Sequence, residues 1–505
     1  MIAVSTLPPP ELSSQPAALA PEGPIALEAT ARGLGGDLRG RAARGTLING
    51  LFSVGLSALG LVRGLVVAAL VGAATYGLWG LITAAFVTLL WLASVGIDDK
   101  YLQQDHPDQL AAFQIAFTLQ ALLCAAFLAA VVVLLPLFAL AYGRPEIIPP
   151  GLALGLAMPA IALQTPLWVH YRQLDFFRLR LLQSTDPVVS FTLTVVLLLA
   201  GLDLWALVLG TLAGSWTAAL VVARSSPYPL AFRYEKGALR EYAGFSWPLF
   251  AGGASAVLLL QVPVIVASRA LGVRAVGAFT LATNISQFTT RVDDIVTQTV
   301  YPVVCAVKDR RDLLFEAFSK SNRIALLWAM PAGVALALFA EDLVPAVLGE
   351  KWRFAVPVIQ IFGVLAAVNQ IGFNWTAFYR ALGDTKPIAV ADGVLLAVGL
   401  GLGLPLLLSD GVAGFAAGLA AATAIAVVVR LRYLTRLFPA FGVLRHVARG
   451  VAPTLPAAGA VLALRAGGAS PGTAGEIVLF LLIAGLATLV LERALLREAL
   501  GYLRR

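Results

Sequence analysis

The chain is short of charge and of chemically reactive side chains. Asp, Glu, Lys and Arg make up 13% of its 505 residues, about half the share in soluble domains. It has 3 His and 2 Cys. Cys124 and Cys305 stand alone in separate apolar runs, so they offer neither a zinc spacing nor a disulfide framework. Both read as small buried hydrophobes. No folded external domain is expected either, because the connections on one side of the apolar runs are very short. The longest, about residues 349–355, has room only for a turn.

Hydrophobic residues, by contrast, make up 59% of the chain. They fall into runs of roughly 20 residues, the length that crosses a hydrocarbon core of about 30 Å. Six runs occupy the first half: 47–71, 76–97, 113–142, 148–169, 182–200 and 204–223. Six more follow at 246–268, 275–300, 324–348, 356–379, 387–408 and 412–433. A weaker pair lies at 451–464 and 475–491, where Pro453 and Pro456 shorten the first member. The expected fold is an all-α polytopic membrane protein of fourteen spans. Before them, residues 1–45 are rich in Pro, Ala and Gly and lack periodicity, which predicts a flexible cytoplasmic tail. That segment has no basic start, apolar core and cleavage site, so it does not read as a signal peptide.

The net charge of +8 raises the question of nucleic acid, but the placement of the basic residues answers it differently. With the N-terminus inside, most Lys and Arg lie on cytoplasmic segments. Only Arg144, Arg269, Arg274, Lys351, Arg353 and Arg465 lie outside, and Arg63 and Arg291 lie within spans. This asymmetry is the topogenic excess of inner loops and predicts an N-in, C-in chain. No nucleic-acid partner is expected. The cytoplasmic segment 171–182 interleaves Arg172, Arg178 and Arg180 with Leu174, Phe176, Phe177 and Leu179. It reads equally as an interfacial amphipathic helix and as a plain connector with snorkelling arginines.

A short repeat organises the spans. Leu70-Val71-Gly72 followed by Gly77-Leu78-Trp79 returns as Ala270-Leu271-Gly272 followed by Gly277-Ala278-Phe279. Each copy lies in an external turn between the first two helices of a set of six, and aspartate pairs follow at Asp98-Asp99 and Asp293-Asp294. Six helices return the chain to its starting side. The two sets therefore share one orientation, about a pseudo-two-fold axis along the membrane normal. The expected organisation is a tail (1–45), a six-helix lobe (46–223), a second six-helix lobe (224–433), and a loop with an additional helix pair (434–505). Two such lobes enclose a central cleft.

In this order the residues Arg269-Ala270-Leu271-Gly272, Gly277-Ala278-Phe279-Thr280-Leu281-Ala282 and Tyr301-Pro302 resemble a known family. They are followed by Leu348-Gly349-Glu350-Lys351-Trp352, Ala355-Val356-Pro357, and Arg380-Ala381-Leu382-Gly383 before Lys386-Pro387. The chain is similar to the oligosaccharide flippases of the polysaccharide transporter family. These belong to the multidrug/oligosaccharidyl-lipid/polysaccharide exporter superfamily. The resemblance implies a transporter, not an enzyme. It would move a sugar chain linked to undecaprenyl pyrophosphate from the inner to the outer leaflet of the cytoplasmic membrane by alternating access. It implies a lipid-linked substrate, contact with membrane lipids, and polysaccharide polymerase or assembly proteins as neighbours. The family has no short catalytic motif from which functional residues can be transferred.

Candidate site residues come from polar faces. Asn284, Gln287, Arg291, Asp294 and Gln298 follow spacings of three and four along one apolar segment, which puts them on one helix face. Arginine suits a diphosphate because it stays charged and binds oxygens in pairs. Arg291, with Asn284 and Gln287, is therefore a candidate headgroup contact, and Asp294 a candidate coupling or gating group. A local Arg291–Asp294 pair at the interface accounts for the same residues. Arg63 shares a small and polar face with Asn49, Ser53, Ser57 and Gly60, and reads equally as a cavity arginine or one snorkelling outward. Gln360, Asn369, Gln370 and Asn374 scatter over several faces and suggest interhelical hydrogen bonds. His170, at the inner interface, suggests nothing specific. No cofactor or metal is expected, and proton or sodium coupling stays open.

Two other functions fit parts of the pattern. A multidrug exporter of the same superfamily would favour an acidic cavity, whereas Arg63 and Arg291 here face a single candidate carboxylate, Asp294. A membrane glycosyltransferase or polymerase would need carboxylates or a sizeable external domain, which the short external loops do not supply.

Overall fold

The computed structural model describes residues 37–92, 97, 101–102, 106–173, 175–235, 237, 254–306, 310–468 and 471–497. The chain divides into two compact units, Met1–Arg44 and Gly45–Arg505. Every regular element among the described residues is helical. In the first half these are α1 (Asp37–Leu70), α2 (Ala73–Leu92), α3 (Gln109–Tyr142), α4 (Ile148–Gly155), α5 (Ala157–Leu163), α6 (Pro166–Arg172), α7 (Phe176–Leu199) and α8 (Leu204–Arg224). The second half holds α9 (Ala254–Ala270), α10 (Val273–Ala306), α11 (Arg311–Leu343), α12 (Val356–Asn369), α13 (Trp375–Ala381) and α14 (Lys386–Leu437). The last three are α15 (Val443–Val451), α16 (Thr454–Ala466) and α17 (Thr473–Leu491).

Nine of the described helical segments are long and apolar enough to cross a membrane, or ten if the bent pair α15–α16 is one span. One of the nine, α14, is 52 residues long, and at 1.5 Å per residue that is about 78 Å, far more than one crossing needs. Gly411 breaks it with φ 68°, ψ −153°, a conformation open to glycine and not to residues with a Cβ. The two apolar runs at 387–408 and 412–433 thus lie on either side of one glycine. Large apolar side chains stay exposed along these helices, among them Val133, Leu140, Leu199, Val428 and Val490, as lipid-facing surfaces require.

Several boundaries differ from the hydropathy reading. The run at 148–169 is not one helix but α4, α5 and α6, broken at Leu156 and at Gln164–Thr165. Pro149, Pro150, Pro159 and Pro166 crowd this stretch, and each removes a backbone donor. The run at 356–379 likewise breaks between Asn369 and Trp375, where Gly372 takes φ 68°. Segment 171–182 is not a separate interfacial helix. The chain turns after Arg172, and the Asp175 carboxylate accepts from the Arg178 N–H at 3.2 Å, capping α7. At the start of the chain α1 is already helical from Asp37, so only the earlier part of the expected tail, residues 1–36, lies outside the described residues.

At the end expected to be external, the two halves are tied by groups from the resemblance motifs. Trp352, fully buried, donates its indole N–H to the Ala68 carbonyl at 2.8 Å, and Lys351 donates to the carbonyls of Ala69 and Val71 at 2.7 Å. These bonds satisfy carbonyls at the C-terminus of α1, where a cation is also favoured by the helix dipole. Arg269 does the same for α3, donating to Ala141 O at 2.6 Å and to Leu140 O. The Tyr142 hydroxyl donates to Gln261 Oε1 at 2.7 Å, and Gln261 donates in turn to Ala84 O at 2.9 Å.

The additional pair α16–α17 is fastened to α11 at both ends. Arg465 bridges Asp342 and the buried Glu476, each at 2.6 Å, and donates to Leu338 O at 3.1 Å. At the other end Arg323 meets Glu492 at 3.5 Å. Beside it the buried His446 Nε2 lies 2.8 Å from Asn322 Oδ1.

Candidate functional site

Helices α1, α2, α8 and α10 converge on a cavity of about 550 Å3. Three of the sequence-derived candidates meet there: Arg63 from α1, and Asn284 and Gln287 from α10. Ser57, Tyr76 and Thr211 complete its polar lining. Arg63 does not run outward to the interface. Its guanidinium donates to Thr211 Oγ1 at 3.2 Å, which fixes the cation on the cavity wall. The Asn284 amide donates to the Tyr76 hydroxyl at 3.0 Å, joining α10 to α2 across the two halves. Gly60 and Gly64 flank Arg63 on the cavity side of α1, and a Cβ at either would meet open space. The small and polar face that Ser57 and Gly60 share with Arg63 thus leaves room beside the arginine.

Arg291 and Asp294 continue along α10 beyond Gln287, within Val273–Ala306, and their side chains, like those of Gln298 and Cys305, lie outside the described residues. Asp98 and Asp99 also lie outside them. Three of the four polar residues singled out in the tenth apolar run bond between helices, while the buried Gln370 Oε1 has no hydrogen-bond partner. Gln360 donates to Ala337 O at 3.0 Å, Asn369 accepts from Arg430 at 3.0 Å, and Asn374 donates to Ser321. Cys124 and His170 are buried.

Sequence reasoning passed over three residues of this region. Tyr76 and Thr211 are ordinary members of apolar helices, and only the packing turns them to the cavity. Asp186 is different. It lies near the middle of α7, accepts from Ser215 Oγ at 3.1 Å, and acts electrostatically on Arg63. A carboxylate inside an apolar run was itself a signal, since ionisable groups at membrane depth are costly and seldom idle.

A second cavity of about 760 Å3 adjoins the first. It lies between α1 and α10 on one side and α11 and α17 on the other, and its walls are apolar except for Thr289 and Thr488. Leu61, Leu65, Ile285 and Phe288 line both spaces, so a polar chamber and a hydrocarbon-like groove share one wall.

A sequence profile described as polysaccharide biosynthesis protein matches residues 66–357, more than half of the chain. The chain belongs to this family. The resemblance read from residues 269–282 and 348–357 falls within the matched stretch. Among curated relatives, the lipopolysaccharide biosynthesis protein WzxC of Escherichia coli (strain K12) is 24% identical over 208 residues, 40% of this chain and 42% of that protein. The match thus spans less than half the length of that relative. Among solved structures, the lipid II flippase MurJ in an inward closed conformation has a TM-score of 0.68. It is 13% identical and covers 89% of this chain and 100% of its own. An inward-facing multidrug resistance MATE family transporter of the MOP superfamily has a TM-score of 0.62 at 15% identity, over 78% of this chain and 99% of its own. These two likenesses show a shared fold. This member of the polysaccharide biosynthesis family is thus a multi-pass helical membrane protein with the fold of that transporter superfamily.

Proposed function

We propose that the protein flips a lipid-linked oligosaccharide or polysaccharide repeat unit, carried on undecaprenyl pyrophosphate, across the cytoplasmic membrane by alternating access. One observation carries this reading: the polar chamber and the apolar groove share Leu61, Leu65, Ile285 and Phe288. A substrate with a charged head and a hydrocarbon tail needs two such spaces side by side. A small cationic drug needs neither the groove nor a resident arginine.

In this mechanism Arg63 exchanges its hydroxyl partner Thr211 for two diphosphate oxygens, a stronger charge-assisted contact. Asn284 and Gln287 supply neutral donors to the head and first sugar. Arg291 extends the cationic path along the same face of α10, and Asp294 serves as the coupling or gating carboxylate, with a proton or sodium ion as its partner. The tail stays in the groove throughout. Fourteen spans in an N-in, C-in arrangement, as two six-helix lobes plus the additional pair, provide the frame. Closure at the end that bears Gly77 and Gly277 and opening at the other make the inward-facing state. An inside-negative potential favours outward passage of the anion by about 2.3 kcal/mol per charge per 100 mV. Polysaccharide polymerase or assembly proteins would receive the product on the far side.

Vesicles reconstituted with the full chain and a lipid-linked oligosaccharide test the reading. Transfer should fall to background in Arg63→Ala. It should also fall in Ala335→Trp, which fills the groove, while Ala335→Trp still binds a tail-less diphosphate. Wild-type transfer rates in both variants, or export of cationic dyes in preference to the lipid, would overturn it.

A further inference from the structure

We infer that Asp186 is the resident counter-anion of Arg63, and that binding of a diphosphate headgroup at Arg63 is linked to proton uptake at Asp186. The inference rests on the reading of Arg63 as the headgroup contact. Asp186 stands behind the cavity wall, not on it. Asp186, Ser190 and Thr194 recur at four-residue intervals on α7 and pack against two glycines of α8, Gly210 and Gly214. A Cβ on Gly214 would lie 2.6 Å from Asp186 Oδ1 and 2.7 Å from Ser190 Cβ, and one on Gly210 would overlap Thr194 Oγ1. The hydroxyls of Ser190 and Thr194 are fully buried and have no hydrogen-bond partner. The α7–α8 seam is therefore a narrow polar slot within apolar helices.

This slot connects to the cavity through α8. Thr211, which holds Arg63, and Ser215, which holds Asp186, are one turn apart on that helix. Guanidinium and carboxylate attract each other across this turn without a direct ion pair. Among the described residues, Arg63 from α1 is the charged group whose field reaches Asp186, and Ser215 from α8 is its hydrogen-bond donor. Tyr76 from α2 acts on Arg63. On α7 itself, Arg180 donates to Gln183, one turn before Asp186.

The consequence follows from charge balance. In the empty site one cation and one anion compensate each other in a medium of low dielectric. An arriving diphosphate takes over Arg63 and adds negative charge beside Asp186. A like charge nearby disfavours the ionised carboxyl, so Asp186 takes a proton from water in the cavity. The loaded site is then less anionic than the headgroup alone, which lowers the cost of carrying it through the membrane. Release of the headgroup returns Arg63 to Thr211, removes the negative charge beside Asp186 and expels the proton. Linkage is reciprocal, so prior protonation of Asp186 must tighten diphosphate binding.

Farnesyl diphosphate binding to the purified full-length chain, measured from about pH 5.5 to about pH 8, tests this. The readout is the ratio of wild-type to Asp186→Asn dissociation constants, which cancels the probe's own titration. The ratio should rise with pH by up to about tenfold per unit, the limit for one linked proton. Asp186→Glu should keep the pH dependence. Ser215→Ala, which removes the donor to Asp186 Oδ2, should move its midpoint to higher pH. A ratio independent of pH, or a midpoint unmoved in Ser215→Ala, would overturn the inference while leaving Arg63 as the headgroup contact. Unchanged affinity in Arg63→Ala would instead overturn that contact, and the linkage with it.

Discussion

Gly77 and Gly277 lie against each other where α2 crosses α10: a Cβ on Gly277 would sit 3.3 Å from the Gly77 backbone nitrogen. The contact is reciprocal. A Cβ on Gly77 would overlap the Val273 carbonyl oxygen, and one on Gly277 the Ala73 carbonyl oxygen. Equivalent positions of the internal repeat thus meet each other, at the end where Lys351, Trp352 and Arg269 also tie the two halves together. Glycine permits the approach because backbone alone can come this near.

Gly77→Val or Gly277→Val should therefore hold the two helices apart at that end while the rest of the bundle folds. The expected phenotype is normal membrane insertion with lipid-linked substrate transfer reduced at least about tenfold, since overlap with backbone forces a shift that packed interiors resist. A cysteine introduced at Asn284 should then react with an impermeant maleimide added outside. Protection of that cysteine equal to the wild-type background would remove the closed-gate role of this contact.

Reporter fusions address the frame as a whole. A reporter active only outside the cytoplasm should work after Ala73, Arg144, Asp203, Arg269 and Asp410. It should be inactive after Arg178, Arg240 and Arg310. Activity at Arg240 would mean that the first half does not hold six spans, and the two-lobe arrangement would have to be abandoned.

The α10 face makes a separate demand. Arg291→Ala should abolish export with the protein still inserted, and Arg291→Lys should keep part of it, because charge survives while paired hydrogen bonding is lost. Asp294→Asn should bind lipid-linked substrate yet fail in multiple turnovers in vesicles. Turnover equal to wild type, with the same dependence on imposed ion gradients, would reduce Arg291 and Asp294 to a structural pair.

Arg465 is the rivet of the additional helix pair. Arg465→Ala would remove the cation beside the buried Glu476 carboxylate, and breaking a fully buried ion pair costs roughly 3–5 kcal/mol. The loss here should be smaller, since the Arg465 side chain is 32% exposed. A clearly lower unfolding temperature in detergent is expected, restored in part by adding Glu476→Gln. A double-mutant cycle with no coupling between the two positions would show that the bridge contributes nothing.

Much of the molecule is legible in the order of its residues. Apolar runs and the sidedness of Lys and Arg specify a polytopic helical chain, because bilayer thickness and topogenic charge act on local sequence. The i, i+3 spacing of Asn284 and Gln287 was enough to put both on one face, and that face lines the cavity. Local pattern was a poorer guide to where helices stop. Prolines divide 148–169 into three pieces through backbone geometry that hydropathy does not record, whereas the kink in α14 falls at Gly411, between the two runs read at 387–408 and 412–433. Tertiary structure alone decided that Arg63 faces inward to Thr211 and not outward to the interface. It also brought Asp186 from α7 to the same arginine and laid an apolar groove along the wall of a polar chamber. The physical reason is common to all three. A helix face can be read from its own sequence, but which other helix it meets depends on packing between segments up to hundreds of residues apart.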